Sequence, residues 1–139
     1  GAREDMMPSV TPEYNDNNLY GTTKTTADDN FDQSHPIYTK FAEYAEIYHA
    51  HEALRQGKQT VLQSGSEEGV FAIQRSLTTE NSNEDYIVVF NSATKPVAFS
   101  QSVNGSELSL VYGTKATLDS GKISTKLPAL SMSIYKISR

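Results

Sequence analysis

Apolar residues change their spacing along the chain near residue 57, and this change divides the sequence into two parts. Four large apolar residues recur at i, i+4, i+7 and i+11 before that point: Ile37, Phe41, Tyr44 and Tyr48. This spacing places side chains on one face of an α-helix. Pro36 suits a first helical turn, Ser34 or His35 can cap it, and Gly57 suits a helix end. We therefore predict one helix within residues 34–56.

From Lys58 onward, apolar residues alternate with polar ones or form short runs, as they do in β-strands. Residues 86–90 (YIVVF) are apolar throughout, which indicates a strand covered on both faces. Two other segments alternate regularly: Leu108, Leu110, Tyr112 and Leu130, Met132, Ile134. The pattern predicts a mainly β fold, an antiparallel Greek-key β-sandwich of seven to eight strands, preceded by an irregular segment and one α-helix.

Two turn signals interrupt the strand region. Asn104-Gly105 lies between two predicted strands, and both residue types tolerate positive φ, so we predict a β-hairpin there. Asp119-Ser120-Gly121 indicates a further turn.

Residues 1–33 are polar and irregular, with many Asn, Asp and Thr residues and few apolar ones. Such a segment buries too little apolar surface to offset its own ordering entropy. A loop of this length is typical of a functional loop belonging to a larger domain. Gly1 and Ala2 are followed by three charged residues, Arg3, Glu4 and Asp5, which indicates a segment excised from a longer protein.

Length and composition exclude several classes of protein. A complete (β/α)₈ barrel needs about 250 residues, whereas this chain has 139, of which 37% are hydrophobic. The net charge of −5 and the thinly spread basic residues argue against nucleic-acid binding. No apolar run approaches the roughly 20 residues of a membrane-spanning helix. The absence of cysteine excludes disulfides and thiolate zinc sites.

Several segments, read in order, resemble the end of α-amylase-family glycoside hydrolases. The loop after the last barrel strand is similar to residues 2–9 (AREDMMPS) and 26–32 (TADDNFD). The last barrel helix and its exit turn are similar to residues 51–57 (HEALRQG). Strands of the C-terminal β-domain are similar to residues 69–75 (GVFAIQR), 85–91 (DYIVVFN) and 127–131 (LPALS), the last of which leads to Tyr135. The family commonly has proline after the histidine of that exit turn, where this sequence has Glu52. The segments cover essentially the whole chain.

The resemblance implies two domains. Residues 1–57 would be the incomplete end of a (β/α)₈ barrel, its last loop and last helix, and residues 58–139 the C-terminal β-sandwich domain. The parent enzyme would cleave or transfer α-glucosidic bonds in starch-like glucans. Glycoside hydrolysis requires two carboxylates facing the scissile bond, and the family's catalytic motifs would lie upstream of this chain. We therefore assign no catalytic residue and no cofactor to the chain, and expect it to be inactive alone.

The resemblance also implies partners. In the parent, Ile37, Phe41, Tyr44 and Tyr48 would pack against the upstream catalytic barrel, and α-glucan would be bound through the parent. In the isolated chain the same side chains would face water, so we expect a homodimer through the exposed helix. No nucleic-acid or membrane partner is expected. The compartment stays open, with a secreted or periplasmic parent favoured.

Two further hypotheses concern the first 33 residues. Four clustered oxygen-bearing side chains could bind calcium, which the resemblance allows in the parent: Asp28, Asp29, Asn30 and Asp32. Their spacing lacks that of a known calcium loop, and turn formation is the favoured interpretation. A substrate contact from Arg3, Asp5 or Tyr14 is a second hypothesis, because loops after barrel strands gather at the active-site face.

Two alternatives to a structural tail remain. In an independent carbohydrate-binding module, sugar rings stack on exposed aromatic faces, and Trp is the best platform. This chain has no Trp, and Tyr112 and Tyr135 fit strand positions with structural roles. The other alternative is a protein-interaction sandwich with no link to sugars.

Overall fold

The computed structural model describes residues 7–15, 17–80 and 83–138. These residues form two compact units, which divide between Ile47 and Tyr48. The first unit contains the loop region and most of one helix, and the second contains the β-sandwich.

The loop region of the first unit is held by short-range hydrogen bonds. A single 3₁₀ turn spans Pro12–Tyr14, and an isolated antiparallel bridge joins Asn18 to Thr25. The amide of Ser9 donates to the carbonyl of Thr26 at 2.7 Å. These bonds order a segment that has almost no core of its own.

The predicted single helix is two helices, so the prediction of one helix through residue 56 is wrong. Helix α1 spans Pro36–Ala50 and helix α2 spans Glu52–Gln56. His51 separates them because its backbone is extended, with φ −122° and ψ 101°, and its carbonyl starts the second helix by accepting from Leu54 at 3.0 Å.

Helix α2 ends where sequence predicts, at Gly57. The Gly57 amide donates to the carbonyl of Ala53 at 2.9 Å. A Cβ at this position would collide with that carbonyl and lie 3.0 Å from the Ser76 carbonyl. Glycine is therefore required by close approach of the helix end to the sheet.

Eight strands follow. They are β1 Lys58–Gln63, β2 Val70–Thr78, β3 Asn83–Asn91, β4 Val97–Ser102, β5 Glu107–Tyr112, β6 Thr117–Asp119, β7 Lys122–Leu127 and β8 Ser131–Ser138. The five-stranded sheet has the order β1-β2-β3-β8-β5 and the three-stranded sheet the order β4-β7-β6. The paired strands are antiparallel. The predicted mainly β, antiparallel fold with two sheets is confirmed, and the Greek-key connectivity stays a prediction.

The core lies between the two sheets. Its buried members are Ala72, Ile87, Val89, Phe99, Ile123, Leu127, Tyr135 and Ile137. β3 is buried from Asp85 to Val89 on both of its faces, as the apolar run predicts for residues 86–89, whereas Phe90 at the end of the run is only partly buried.

The predicted hairpin at Asn104-Gly105 is wrong. β4 lies in the three-stranded sheet and β5 in the five-stranded sheet, so the connection crosses between sheets. Gly105 is needed for another reason, because a Cβ there would collide with the Ile137 side chain. The true two-residue hairpin joins β6 to β7, where Ser120 and Gly121 have φ values of 49° and 73°.

Strict alternation also fails at two places. The register of β5 against β8 shifts between Leu110 and Tyr112, and Leu110 is exposed. Leu130 lies in the turn before β8 with φ 48° and is exposed rather than part of the core. None of the helices within the described residues is long and apolar enough to cross a membrane.

Candidate docking surfaces

The four residues of the predicted apolar stripe on α1 are all exposed. Ile37 is 44% exposed, Phe41 71%, Tyr44 38% and Tyr48 48%. We call these four residues the helix stripe. No residue of α1 that the structure describes is buried. A 15-residue helix is marginal in water without tertiary packing, and this helix has its large apolar side chains exposed.

Loop residues of the first unit add to this apolar surface. A groove of about 460 Å³ lies beside the helix, with Leu19, Tyr38 and Phe41 among its lining residues. A second groove of about 290 Å³ is lined by Tyr20, Ile37 and Tyr44 among others. Both grooves are predominantly apolar, so they suit the side chains of a protein partner better than a polar ligand.

The polar groups that line the larger groove are engaged within the first unit. Lys24 lies 3.8 Å from the Asp32 carboxylate and donates to the carbonyl of Asp29 at 2.9 Å. Both nitrogens of the His35 ring are used, since Nδ1 accepts from the amide of Ile37 at 3.1 Å and Nε2 lies 2.8 Å from the carbonyl of Tyr20. These contacts require the tautomer with hydrogen on Nε2. His35 therefore caps α1.

The clustered acidic residues act as turn formers. Asp28 Oδ2 accepts from the amide of Thr25 at 2.8 Å, and Asp29 Oδ1 accepts from the amide of Phe31 at 2.9 Å. Asp32 Oδ1 accepts from both the hydroxyl and the amide of Ser34, and these bonds hold the pKa of Asp32 below its ordinary value. Within residues 7–15, 17–80 and 83–138, no three potential metal ligands are grouped around one point.

A second apolar surface lies on the sandwich, and sequence reasoning missed it. Ala72, Ile87 and Val89 face the core, so their strand neighbours face outward. Several apolar residues of this outer face retain contact with solvent, and four of them are Val61, Phe71, Phe90 and Met132. We call these four residues the sheet patch. The uninterrupted apolar run of β3 was the available signal, because it indicates that both faces of the strand are covered.

The sheet patch is a continuous surface across neighbouring strands. Phe71 pairs with Phe90, which in turn pairs with Met132. The two phenyl rings are stacked, with centroids 6.2 Å apart and an interplanar angle of 28°. Val61 is 52% exposed and Phe71 40%.

Helix α2 covers the other end of the same face. Arg75 reaches across it, and its Nη2 donates to the carbonyl of Arg55 at 3.2 Å while its Nε donates to that of Ala53 at 3.4 Å. His51 Nδ1 lies 2.9 Å from the hydroxyl of Tyr86. Burial raises the pKa of Tyr86 above its ordinary value.

The outer face of the three-stranded sheet is different in chemistry. Its exposed residues on β4 and β7 are small or polar: Ala98, Ser100, Ser102, Lys122, Ser124 and Lys126. The sandwich thus has one polar outer face and one outer face with exposed apolar side chains.

The remaining sequence-based candidates lie elsewhere. Arg3, Asp5 and the side chain of Tyr14 are outside the described part of the chain. Tyr135 is fully buried, and its hydroxyl donates to the carbonyl of Thr114 at 2.6 Å, so its role is structural as predicted. It offers no face on which a sugar ring could stack.

Known proteins resemble this chain as follows. The chain is 35% identical over 140 residues to an α-amylase from Streptomyces lividans, in a match that covers 97% of this chain and 15% of that protein. No protein-family model matches the sequence.

Solved structures share the fold. An α-amylase from H. orenii superposes with a TM-score of 0.60 and 16% identity, covering 81% of this chain and 23% of that one. The trehalulose synthase MutB superposes with a TM-score of 0.56 and 23% identity, covering 76% of this chain and 18% of that one.

Proposed function

This chain is homologous to part of the α-amylase family over nearly its whole length, and we propose that it is the non-catalytic C-terminal part of such an enzyme. In this proposal the sandwich supports the catalytic barrel of a parent that cleaves or transfers α-glucosidic bonds in starch-like glucans. In the parent, the barrel binds the glucan, and this chain does not bind it directly.

One observation carries the proposal: the match covers 97% of the chain and 15% of the relative. The activity in the relative's name requires two opposed carboxylates on a catalytic scaffold. A (β/α)₈ barrel of about 250 residues does not fit within 139 residues. The catalytic groups are therefore expected in the part of the parent that this chain does not cover.

The helix stripe supports a docked role for the first unit. Ile37, Phe41 and Tyr44 border or line the two apolar grooves, and a helix without a buried residue gains little from remaining in water. Burying one such side chain contributes about 1.5–3 kcal/mol. The upstream barrel is the proposed occupant of the helix stripe.

Activity assays test the proposal directly. The 139-residue chain and the longer protein are each incubated with soluble starch and with maltooligosaccharides, and newly formed reducing ends and transfer products are measured. The expected result is activity in the longer protein and none in the chain. A longer protein that neither hydrolyses nor transfers α-glucosidic bonds would overturn the proposal.

Sugar titration tests the carbohydrate-binding alternative. Maltoheptaose is titrated into the 139-residue chain by calorimetry, with Tyr112→Ala as the comparison. The proposal expects no saturable binding. Micromolar binding that is lost in Tyr112→Ala would favour a carbohydrate-binding module instead.

A further inference from the structure

The connection between β4 and β5 carries a chemically reactive pair of residues, Asn104 and Gly105. We propose that Asn104 is a site of spontaneous deamidation in the folded protein, and that the isoaspartate product loosens this connection. Residues 103–106 form the connection, which crosses from the three-stranded sheet to the five-stranded sheet. The proposal is independent of the proposed function.

The reaction consumes one water and releases one ammonia. The amide nitrogen of Gly105 gives its proton to solvent base and attacks the side-chain carbonyl carbon (Cγ) of Asn104. A new C–N bond forms, and the bond to the side-chain nitrogen breaks as ammonia leaves with a proton from water. Water then opens the resulting succinimide ring by breaking one ring C–N bond. Opening at Cγ gives aspartate, whereas opening at the backbone carbonyl gives isoaspartate.

The structure leaves Asn104 open to this attack. Its side chain is exposed, and glycine, which follows no other asparagine in the chain, has no side chain to hinder its own amide. Asn91 provides the contrast, because it is 2% exposed. Its Nδ2 donates to the carbonyls of Lys95 and Pro128 at 3.0 and 2.7 Å. Its amide group is therefore held in place, and attack on it requires local opening of the fold.

The fold requires the glycine that makes the site reactive. A Cβ at residue 105 would collide with the side chain of Ile137 and lie 2.6 Å from the carbonyl oxygen of Ser138. Both of these residues belong to β8, so a larger residue at 105 would force the connection away from the five-stranded sheet. A bulkier residue that would slow the attack is therefore excluded by packing.

Two hydrogen bonds hold the connection, one on either side of the reactive pair. The Val103 amide donates to the carbonyl of Gly121 at 2.8 Å, and the Ser106 amide donates to that of Ser138 at 2.9 Å. Isoaspartate at 104 inserts one extra backbone carbon between these bonds and lengthens the path by about 1.5 Å. Such bonds need donor–acceptor distances of about 2.7–3.2 Å, so the two cannot both keep their geometry. The start of β5 therefore loosens.

Peptide mapping of the aged protein tests the site. The 139-residue chain is incubated in mildly alkaline buffer, either folded or unfolded in urea, and deamidated peptides are quantified by mass spectrometry. Circular dichroism follows the folded state of the first sample throughout.

The expected result is that folding protects one asparagine and not the other. Asn104 reacts in the folded chain within about threefold of its rate in urea, whereas folding slows Asn91 by about tenfold or more. Equal protection of Asn104 and Asn91 by folding would overturn the proposal.

Asn104→Asp separates the change in backbone length from the change in charge, because it adds the negative charge without the extra carbon. The deamidated fraction is isolated by anion exchange, and amide hydrogen exchange is measured on the peptide that contains residues 103–112. Exchange in this fraction is expected to be about threefold or more faster than in fresh protein and in Asn104→Asp. Ageing of Asn104→Gln, which cannot form the five-membered ring, should leave exchange unchanged. Equal exchange in the deamidated fraction and in Asn104→Asp would contradict the loosening by isoaspartate.

Discussion

At the residue scale, Arg75 links three elements of the sandwich. It donates to the carbonyls of Ala53 and Arg55 at the end of α2, and its Nη1 donates to Gln59 Oε1 on β1 at 3.2 Å. The last carbonyls of a helix lack intrahelical partners, and a cation near them is favourable. The guanidinium therefore gives the Arg55 carbonyl a donor, and it adds a second donor to the Ala53 carbonyl, which already accepts from the amide of Gly57.

Replacing this guanidinium is expected to destabilise the sandwich. Arg75→Met keeps the aliphatic stem but removes the side-chain donor to the partly buried Arg55 carbonyl, at a cost of about 1–3 kcal/mol in the free energy of unfolding. Urea denaturation followed by circular dichroism measures it. Lys126→Met, on the exposed polar face, is the control and should change stability by less than about 0.5 kcal/mol. Equal stabilities for the two variants would contradict the role of Arg75.

The buried hydroxyl of Tyr135 predicts a loss of stability in alkali. Burial raises the pKa of Tyr135 above its ordinary value of about 10. The folded state thus holds this proton more tightly than the unfolded state does. The contribution is fully present below about pH 10 and is lost as pH rises through the folded-state pKa. Lys136, whose pKa is raised by its hydrogen bond to Glu84, adds a loss in the same direction.

Tyr135→Phe separates this effect from general alkaline unfolding. The variant loses the hydrogen bond to Thr114, which costs about 1 kcal/mol at neutral pH, and its stability declines less steeply above about pH 10. Urea midpoints measured from about pH 8 to about pH 11 give the two slopes. Parallel profiles for the wild type and Tyr135→Phe would contradict the assignment, and Tyr38→Phe, at an exposed position, should follow the wild type.

At the element scale, the sequence predicts elements well where one physical signal dominates. Period-two alternation and apolar runs indicate the strands, and the stripe from Ile37 to Tyr48 indicates α1. The failures occur where tertiary contacts override local signals. Asn104-Gly105 has hairpin chemistry, yet Gly105 is required by its approach to Ile137. The sheet patch was missed because only the strand order shows which faces are open.

The break between α1 and α2 predicts a stabilising substitution. Glu52 is the first residue of α2, where an amide has no intrahelical partner, and His51 before it is extended, as a residue preceding proline must be. Glu52→Pro should therefore raise the free energy of unfolding by about 0.4–1 kcal/mol, chiefly by restricting the unfolded chain.

Thermal and urea unfolding of Glu52→Pro measure the gain. Leu54→Pro is the matched control, because the amide of Leu54 donates to the carbonyl of His51 at 3.0 Å and proline removes it. This control is expected to destabilise the protein by about 3 kcal/mol. If Glu52→Pro destabilises the protein, the backbone at His51 does not have the extended conformation that a following proline favours.

At the scale of the whole molecule, the two units differ in what holds them. The sandwich unit has a core of eight buried residues between its sheets. In the first unit, Tyr20, Phe31, Ile37, Tyr38 and Phe41 are exposed instead. Local hydrogen bonds order the loop, but they contribute little net free energy in water. We therefore expect the first unit to depend on surfaces outside itself, as the long polar loop and the helix stripe predict from the sequence.

Without the proposed barrel, the helix stripe should bury itself against another copy. Sedimentation velocity of the 139-residue chain is expected to show dimers or larger species, because each large apolar side chain removed from water contributes about 1.5–3 kcal/mol. Phe41→Lys should shift the distribution toward monomer. Glu46→Gln lies largely off the stripe and changes the net charge by the same amount, so it should leave the distribution unchanged. A monodisperse wild-type monomer would mean that the exposed stripe does not drive association, and docking of α1 on a barrel would then need forces other than apolar burial.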